Sequence, residues 1–181
     1  AEAWLNAEIE PRQKAIRHQE YNRYIETEVV PYISTACDGQ RPITSGVSLG
    51  ALHAANVLFR RPDLFDGVVG LSGIYDLKSY TDGYFDEDVY FNSPIDYLAN
   101  LTDESILDEL RTAKQIHFLS GSGNYEDPSA TRAIDELLAA KEISHNIEIW
   151  GDEWSHDWPT WREMLPNYIE RKLDLSTAGN R

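Results

Sequence analysis

Ser48 lies in Gly46-Val47-Ser48-Leu49-Gly50, a G-x-S-x-G pattern, and it is the residue best placed to act as a nucleophile. Arg41-Pro42-Ile43-Thr44-Ser45 reads as a short strand following a turn at Cys37-Asp38-Gly39-Gln40, and Ala51 to Phe59 is rich in helix formers. Strand, sharp turn and helix are what a nucleophile elbow needs. The glycines are expected to remove Cβ atoms where strand and helix backbones crowd, leaving Ser48 strained with its Oγ exposed. Free N–H groups and a partial positive charge at the helix start would lie beside it.

A serine hydroxyl attacks well only when a base takes its proton and a third group orients that base. Five histidines are available. His18 reads as a partly exposed helical residue, His53 as pointing away from the turn mouth, His117 as packed under a helix and His145 as a surface residue. His156 follows the last strand, among Trp154, Trp158 and Trp161. Loops at the carboxyl ends of parallel strands line the ligand crevice, so His156 belongs on the same edge as Ser48. The loop Gly121-Ser122-Gly123-Asn124-Tyr125-Glu126-Asp127-Pro128 reaches that edge too. Glu126 is the preferred acid and Asp127 the alternative, although Asp127 competes as an N-cap for a helix beginning near Ser129. Asp152 and Asp157 are too close to His156 in sequence to orient it from behind. The order Ser, acid, His is that of the α/β-hydrolases. Tyr125, Trp154 and Trp158 are candidates to wall a substrate pocket; Trp161 reads more as packing for the last helix.

The elements that must position these residues alternate between strand and helix, which implies a mostly parallel α/β sheet flanked by helices. Four strands are evident, near 43–45, 67–72, 115–120 and 146–150. A long helix is expected over 11–34, its apolar stripe formed by Ile16, Tyr21, Tyr24, Ile25, Val29 and Ile33, with Pro31 forcing a kink or an early stop. Residues 74–114 read as an irregular aromatic and acidic insertion in the position of a lid, with helix starts at Asn92-Ser93-Pro94 and a weak helix from Glu104 to Lys114. Further helices are expected from Ser129 to Ala140 and from Thr160 to Leu173.

The 181 residues fit one domain spanning 1–181. With 41% hydrophobic and 11% aromatic residues the chain is a folder. A formal charge of −15 would repel phosphate backbones, so no nucleic-acid partner is expected. No apolar run is long enough to span a bilayer. The compartment stays open, since a leader can be removed. The single cysteine, Cys37, excludes an intrachain disulfide. No His/Cys/Asp cluster has metal-ligand spacing, and neither metal nor cofactor is expected.

Gly46-Val47-Ser48-Leu49-Gly50-Ala51, the 121–126 loop, and above all Ser155-His156-Asp157-Trp158-Pro159 with Trp161 and Met164-Leu165-Pro166 resemble the bacterial putative-esterase branch of the α/β-hydrolases. That branch is similar to esterase D and the mycolyltransferase-like enzymes. The resemblance runs from Trp4 to Leu173 and implies metal-free cleavage of small carboxylic esters by Ser48 and His156, with Glu126 as acid and the Leu49 N–H as an oxyanion donor. Many relatives carry an acidic residue where this chain has Asn124. Relatives also have strands before the 11–34 helix, including a loop that supplies a second oxyanion N–H, so the resemblance implies a sheet reduced or truncated at the N-terminus. An uncovered strand edge invites pairing, which implies a homo-oligomer or a missing N-terminal segment. Acyl transfer by the same triad and a non-catalytic binding module remain the rival readings.

Overall fold

The computed structural model describes residues 2–113 and 115–172, so Lys114 and Leu173, the expected last residues of two helices, lie outside it. Four strands, β1 (Ile43–Val47), β2 (Gly67–Leu71), β3 (Gln115–Ser120) and β4 (Asn146–Ile149), form one parallel sheet in the order β1-β2-β3-β4. Consecutive strands are joined by helices, giving the expected mostly parallel α/β sheet flanked by helices.

The side-chain period of two sorts the inner strands. Val68, Ile116 and Phe118 pack on one face with Ala51, Ala55, Leu58 and Phe59 from α4 (Leu49–Arg60), and with Ile134 and Leu138 from α8 (Pro128–Ala140). Val69, Leu71 and Leu119 point to the other face, against Trp161, Met164 and Tyr168 of α9 (Trp158–Lys172). All five residues of β2 are buried, as a strand covered on both faces requires.

The expected long helix is three pieces: α2 (Pro11–Tyr24), a π-helical turn (Ile25–Val29) and α3 (Val30–Ala36). Pro31 is the reason. An unbroken α-helix would direct the Thr27 carbonyl at a proline that has no N–H and whose ring collides with it. The wider turn, in which the Val30 N–H reaches the Ile25 carbonyl, lets the chain restart with Pro31 in the first turn of α3.

The apolar stripe expected on that helix is only in part its packed face: Ile25 packs against the main core, but the two tyrosines do not. Tyr21 and Tyr24 are 46% and 48% exposed, whereas Lys14, Ala15, His18 and Asn22 are buried. The buried polar residues reach specific partners, although Asn22 Oδ1 has none. Lys14 Nζ donates to the carbonyls of Trp4 and Tyr80 at 3.2 Å each, and Asn22 Nδ2 donates to Asn92 Oδ1 at 3.0 Å. Tyr21, Ile25, Val29 and Ile33 instead line a groove of about 610 Å³ that runs beside β1.

The 74–114 stretch is more regular than its sequence suggests. It contains a 3-10 turn (Lys78–Tyr80), α5 (Glu87–Tyr90), α6 (Pro94–Asn100) and α7 (Glu104–Thr112). Tyr75, Leu98, Leu107 and Leu110 from this stretch are buried in the main core.

Candidate active site

Backbone strain makes Ser48 available. It sits between β1 and α4 at φ 53°, ψ −124°, a conformation that non-glycine residues seldom adopt. Its N–H donates to the Leu71 carbonyl at 2.9 Å, tying the turn to β2. Gly46 is required, because a Cβ there would fall 2.1 Å from the Gly50 carbonyl oxygen. Gly50 is not required in this way: a Cβ at that position meets nothing within 4 Å, so the steric role expected of both glycines belongs to one.

His156 Nε2 is 2.9 Å from Ser48 Oγ, and His156 Nδ1 is 3.3 Å from Glu126 Oε2. The loops carrying the acid and the histidine are laced together by their backbones. Gly123 N–H donates to the Trp154 carbonyl at 2.9 Å, His156 N–H to the Asn124 carbonyl at 2.9 Å, and Ser122 N–H to the Gly151 carbonyl at 3.3 Å. Gly121 permits this docking, since a Cβ there would sit 2.1 Å from the Trp154 carbonyl oxygen. Asn124 contributes its carbonyl to this lacing.

The Glu126 side chain is 1% exposed, against 25% for His156. Burial opposes its charge, but hydrogen bonds from His156 and Ser72 outweigh burial and hold its carboxyl below the usual range. Asp127 is placed differently. Its carboxylate accepts the Ser129 N–H at 3.0 Å and caps α8, away from the histidine. Asp157 accepts the Trp158 N–H at 2.7 Å at the start of α9. Leu49 is the first residue of α4, so its N–H belongs to the set with no partner inside the helix.

Of the aromatic candidates, Tyr125 is 94% exposed and Trp158 56% exposed, while Trp154 is half-buried with its ring edge-on to Trp150. Trp161 packs in the core as expected, and it also stacks edge-on against His156 with ring centres 5.0 Å apart.

Two of the histidines are more buried than their sequence contexts suggest. His18 is 2% exposed rather than partly exposed, and His145 is half-buried against Asp135 at 2.8 Å. His53 faces His18, away from Ser48. Sequence reasoning passed over Ser72, whose hydroxyl donates to Glu126 Oε1 at 2.5 Å. The available signal was position: Ser72 follows β2 directly, as Ser48 follows β1, at the same edge of the sheet.

The family described as "Putative esterase" matches residues 5–171, which include the elbow and both loops. A comparison with curated protein sequences finds no match. Among solved structures, a ferulic acid esterase superposes with a TM-score of 0.63 at 19% identity, over 81% of this chain and 58% of its own. S-formylglutathione hydrolase from Agrobacterium tumefaciens gives 0.62 at 12% identity, over 82% of this chain and 55% of its own. MPT51 from Mycobacterium tuberculosis gives 0.59 at 14% identity, over 82% and 66%. The chain therefore spans under two thirds of the length of the first two, and at these identities the likeness is one of fold. The sequence match carries more weight because it runs through nearly the whole chain: this protein belongs to the Putative esterase family.

Proposed function

We propose that this protein is a serine carboxylesterase in which Ser48 is the nucleophile, His156 the base and Glu126 the group that orients it. The observation that carries the reading is the 2.9 Å approach of His156 Nε2 to Ser48 Oγ on a strained turn. With Nδ1–H directed at Glu126, Nε2 is unprotonated and free to accept the serine proton. Ser48 Oγ then attacks the ester carbonyl, and the Leu49 N–H donates to the developing oxyanion. The imidazolium passes its proton to the departing alkoxide, which leaves as alcohol, and an acyl-serine remains. Water, deprotonated by His156, attacks that acyl group, and the acid departs as Ser48 recovers its proton. One ester and one water become one acid and one alcohol.

The charge of Glu126 stabilises the imidazolium formed in both half-reactions. The proposed substrate is a small-molecule ester, with Tyr125 inside the acid loop and Trp158 two residues beyond His156 as candidates to contact it.

The test is labelling by a fluorophosphonate probe, which forms a stable adduct only with an activated serine. Wild-type protein labels, and Ser48→Ala and His156→Ala do not. A folded wild-type protein that stays unlabelled refutes the reading.

A further inference from the structure

Glu126 is held by more than its histidine. Its Oε1 accepts the Ser72 hydroxyl at 2.5 Å, while the contacts to Oε2, from His156 Nδ1 and Ser120 Oγ, are both 3.3 Å. Ser120 also donates to the Gly121 carbonyl at 2.8 Å, so its one proton is shared. Ser72 is thus the short, undivided donor to a carboxylate whose side chain is 1% exposed.

The Ser72 hydroxyl has its direction imposed. Trp161 Nε1–H donates to Ser72 Oγ at 2.9 Å, occupying the oxygen from the other side and leaving the hydroxyl proton to face Glu126. The same indole stacks edge-on against His156. Trp161 therefore touches the base with its ring and reaches the acid through Ser72. Ser72 itself is strained at φ 49°, and its N–H donates to the Leu119 carbonyl at 2.6 Å, which fixes the side chain at the end of β2. Strain retained in a non-glycine residue beside a reactive group suggests that its side chain is needed there.

We infer that Ser72, aimed by Trp161, is a positioning residue that clamps the Glu126 carboxylate so that its second oxygen faces His156 Nδ1. The inference rests on the esterase reading for its effect on rate, though not for the clamp itself. Without the Ser72 hydroxyl, a buried carboxylate would keep only its two long contacts and the Gly121 backbone N–H. It would then favour its neutral form or swing away from the histidine. His156 is the titratable side chain in contact with it; Ser72 and Ser120 are hydroxyls.

The variant to use is Ser72→Gly. Glycine adopts positive φ without penalty, so this change removes the hydroxyl while relieving the backbone. A merely structural Ser72 predicts lowered stability with the activity of the folded protein unchanged. The clamp predicts kcat of the folded protein, or the probe's labelling rate, lowered roughly 10- to 100-fold at nearly unchanged KM, the rate equivalent of one charge-assisted hydrogen bond. Trp161→Phe keeps the ring against His156 and loses the donor. It should lower kcat less, and the double variant should be no slower than Ser72→Gly, because the indole acts through the hydroxyl.

A second readout is independent of catalysis: carbon-13 NMR titration of Glu126, assigned with Glu126→Gln. Its midpoint should move upward in Ser72→Gly. A labelled wild type with Ser72→Gly unchanged in rate and in titration overturns the clamp. An unlabelled wild type whose Glu126 midpoint still rises in Ser72→Gly overturns the esterase reading and supports the clamp.

Discussion

At the residue scale the site is a line of hydrogen bonds from Ser48 through His156 to Glu126, with the Glu126 side chain more deeply buried than that of His156. The buried end has the greater need of compensation, because a carboxylate out of water is costly unless several donors reach it. Glu126→Gln keeps the shape and removes the charge. It should lower kcat by roughly 10²- to 10⁴-fold by leaving the imidazolium uncompensated, read from steady-state ester hydrolysis. Asp127→Ala should behave otherwise. It removes the α8 cap and costs about 1 kcal/mol in a denaturant melt, with probe labelling retained. Loss of labelling in Asp127→Ala with Glu126→Gln unaffected would transfer the acid role to Asp127.

At the element scale the site depends on two loops being held at a fixed separation. Neither loop is rigid by composition; their backbones are laced through Gly123, Asn124, Gly151 and Trp154, and the approach is close enough to exclude a methyl group at Gly121. Gly121→Ala therefore has to push the histidine loop away from the acid loop. It should cost about 1–3 kcal/mol of stability, as overpacking does. It should also slow labelling more than an equally destabilising core substitution such as Ile134→Val. Equal labelling rates in the two would show that loop docking does not govern the site. The elbow works on the same principle, with Gly46 admitting the start of α4 against the strand.

At the scale of the whole molecule, two features lie away from Ser48. Trp4 Nε1–H donates to His18 Nδ1 at 3.2 Å, so His18 carries its proton on Nε2 and directs it at His53 Nδ1, 2.7 Å away. An added proton on either ring nitrogen would face an N–H. Burial, reinforced for His18 by the charge of His53, lowers both pKa values, His53 to about 4 and His18 well below its ordinary 6.5. The folded form thus refuses a proton that the unfolded chain accepts. The resulting stability is complete above about pH 6.5 and is lost as pH falls from there toward about 4. Between about pH 7.5 and about pH 5 the loss from His53 alone is on the order of 2 kcal/mol in urea melts, and His53→Gln should flatten it. A wild-type stability that holds constant over this window would contradict the relay. The second feature is β1, which among the described residues has a neighbouring strand on one side only, with the groove beside it. An open edge with apolar surface predicts self-association, so light scattering should report more than one chain and Ile43→Lys should reduce the mass to one. A wild-type mass of a single chain at all concentrations sinks this prediction.

The sequence by itself determined the order of the four strands and of the longer helices, because apolar runs, prolines and caps are local signals that act within a few residues. It also marked Ser48, Glu126 and His156 as candidates, since strand ends in a parallel sheet share one edge whatever the details of packing. Only the tertiary structure decided matters that depend on neighbours distant in the chain. Tyr21 and Tyr24 look like core by helical spacing, yet the packed face carries Lys14, His18 and Asn22, because their partners Trp4, Tyr80, His53 and Asn92 arrive from other elements. Ser72 showed no motif, and its contact with Glu126 spans 54 positions. Glu126 and Asp127 are adjacent in the chain, yet the fold brings the first carboxylate to His156 and leaves the second to cap α8. Periodicity records which residues share a face, but what that face meets is set by the rest of the fold.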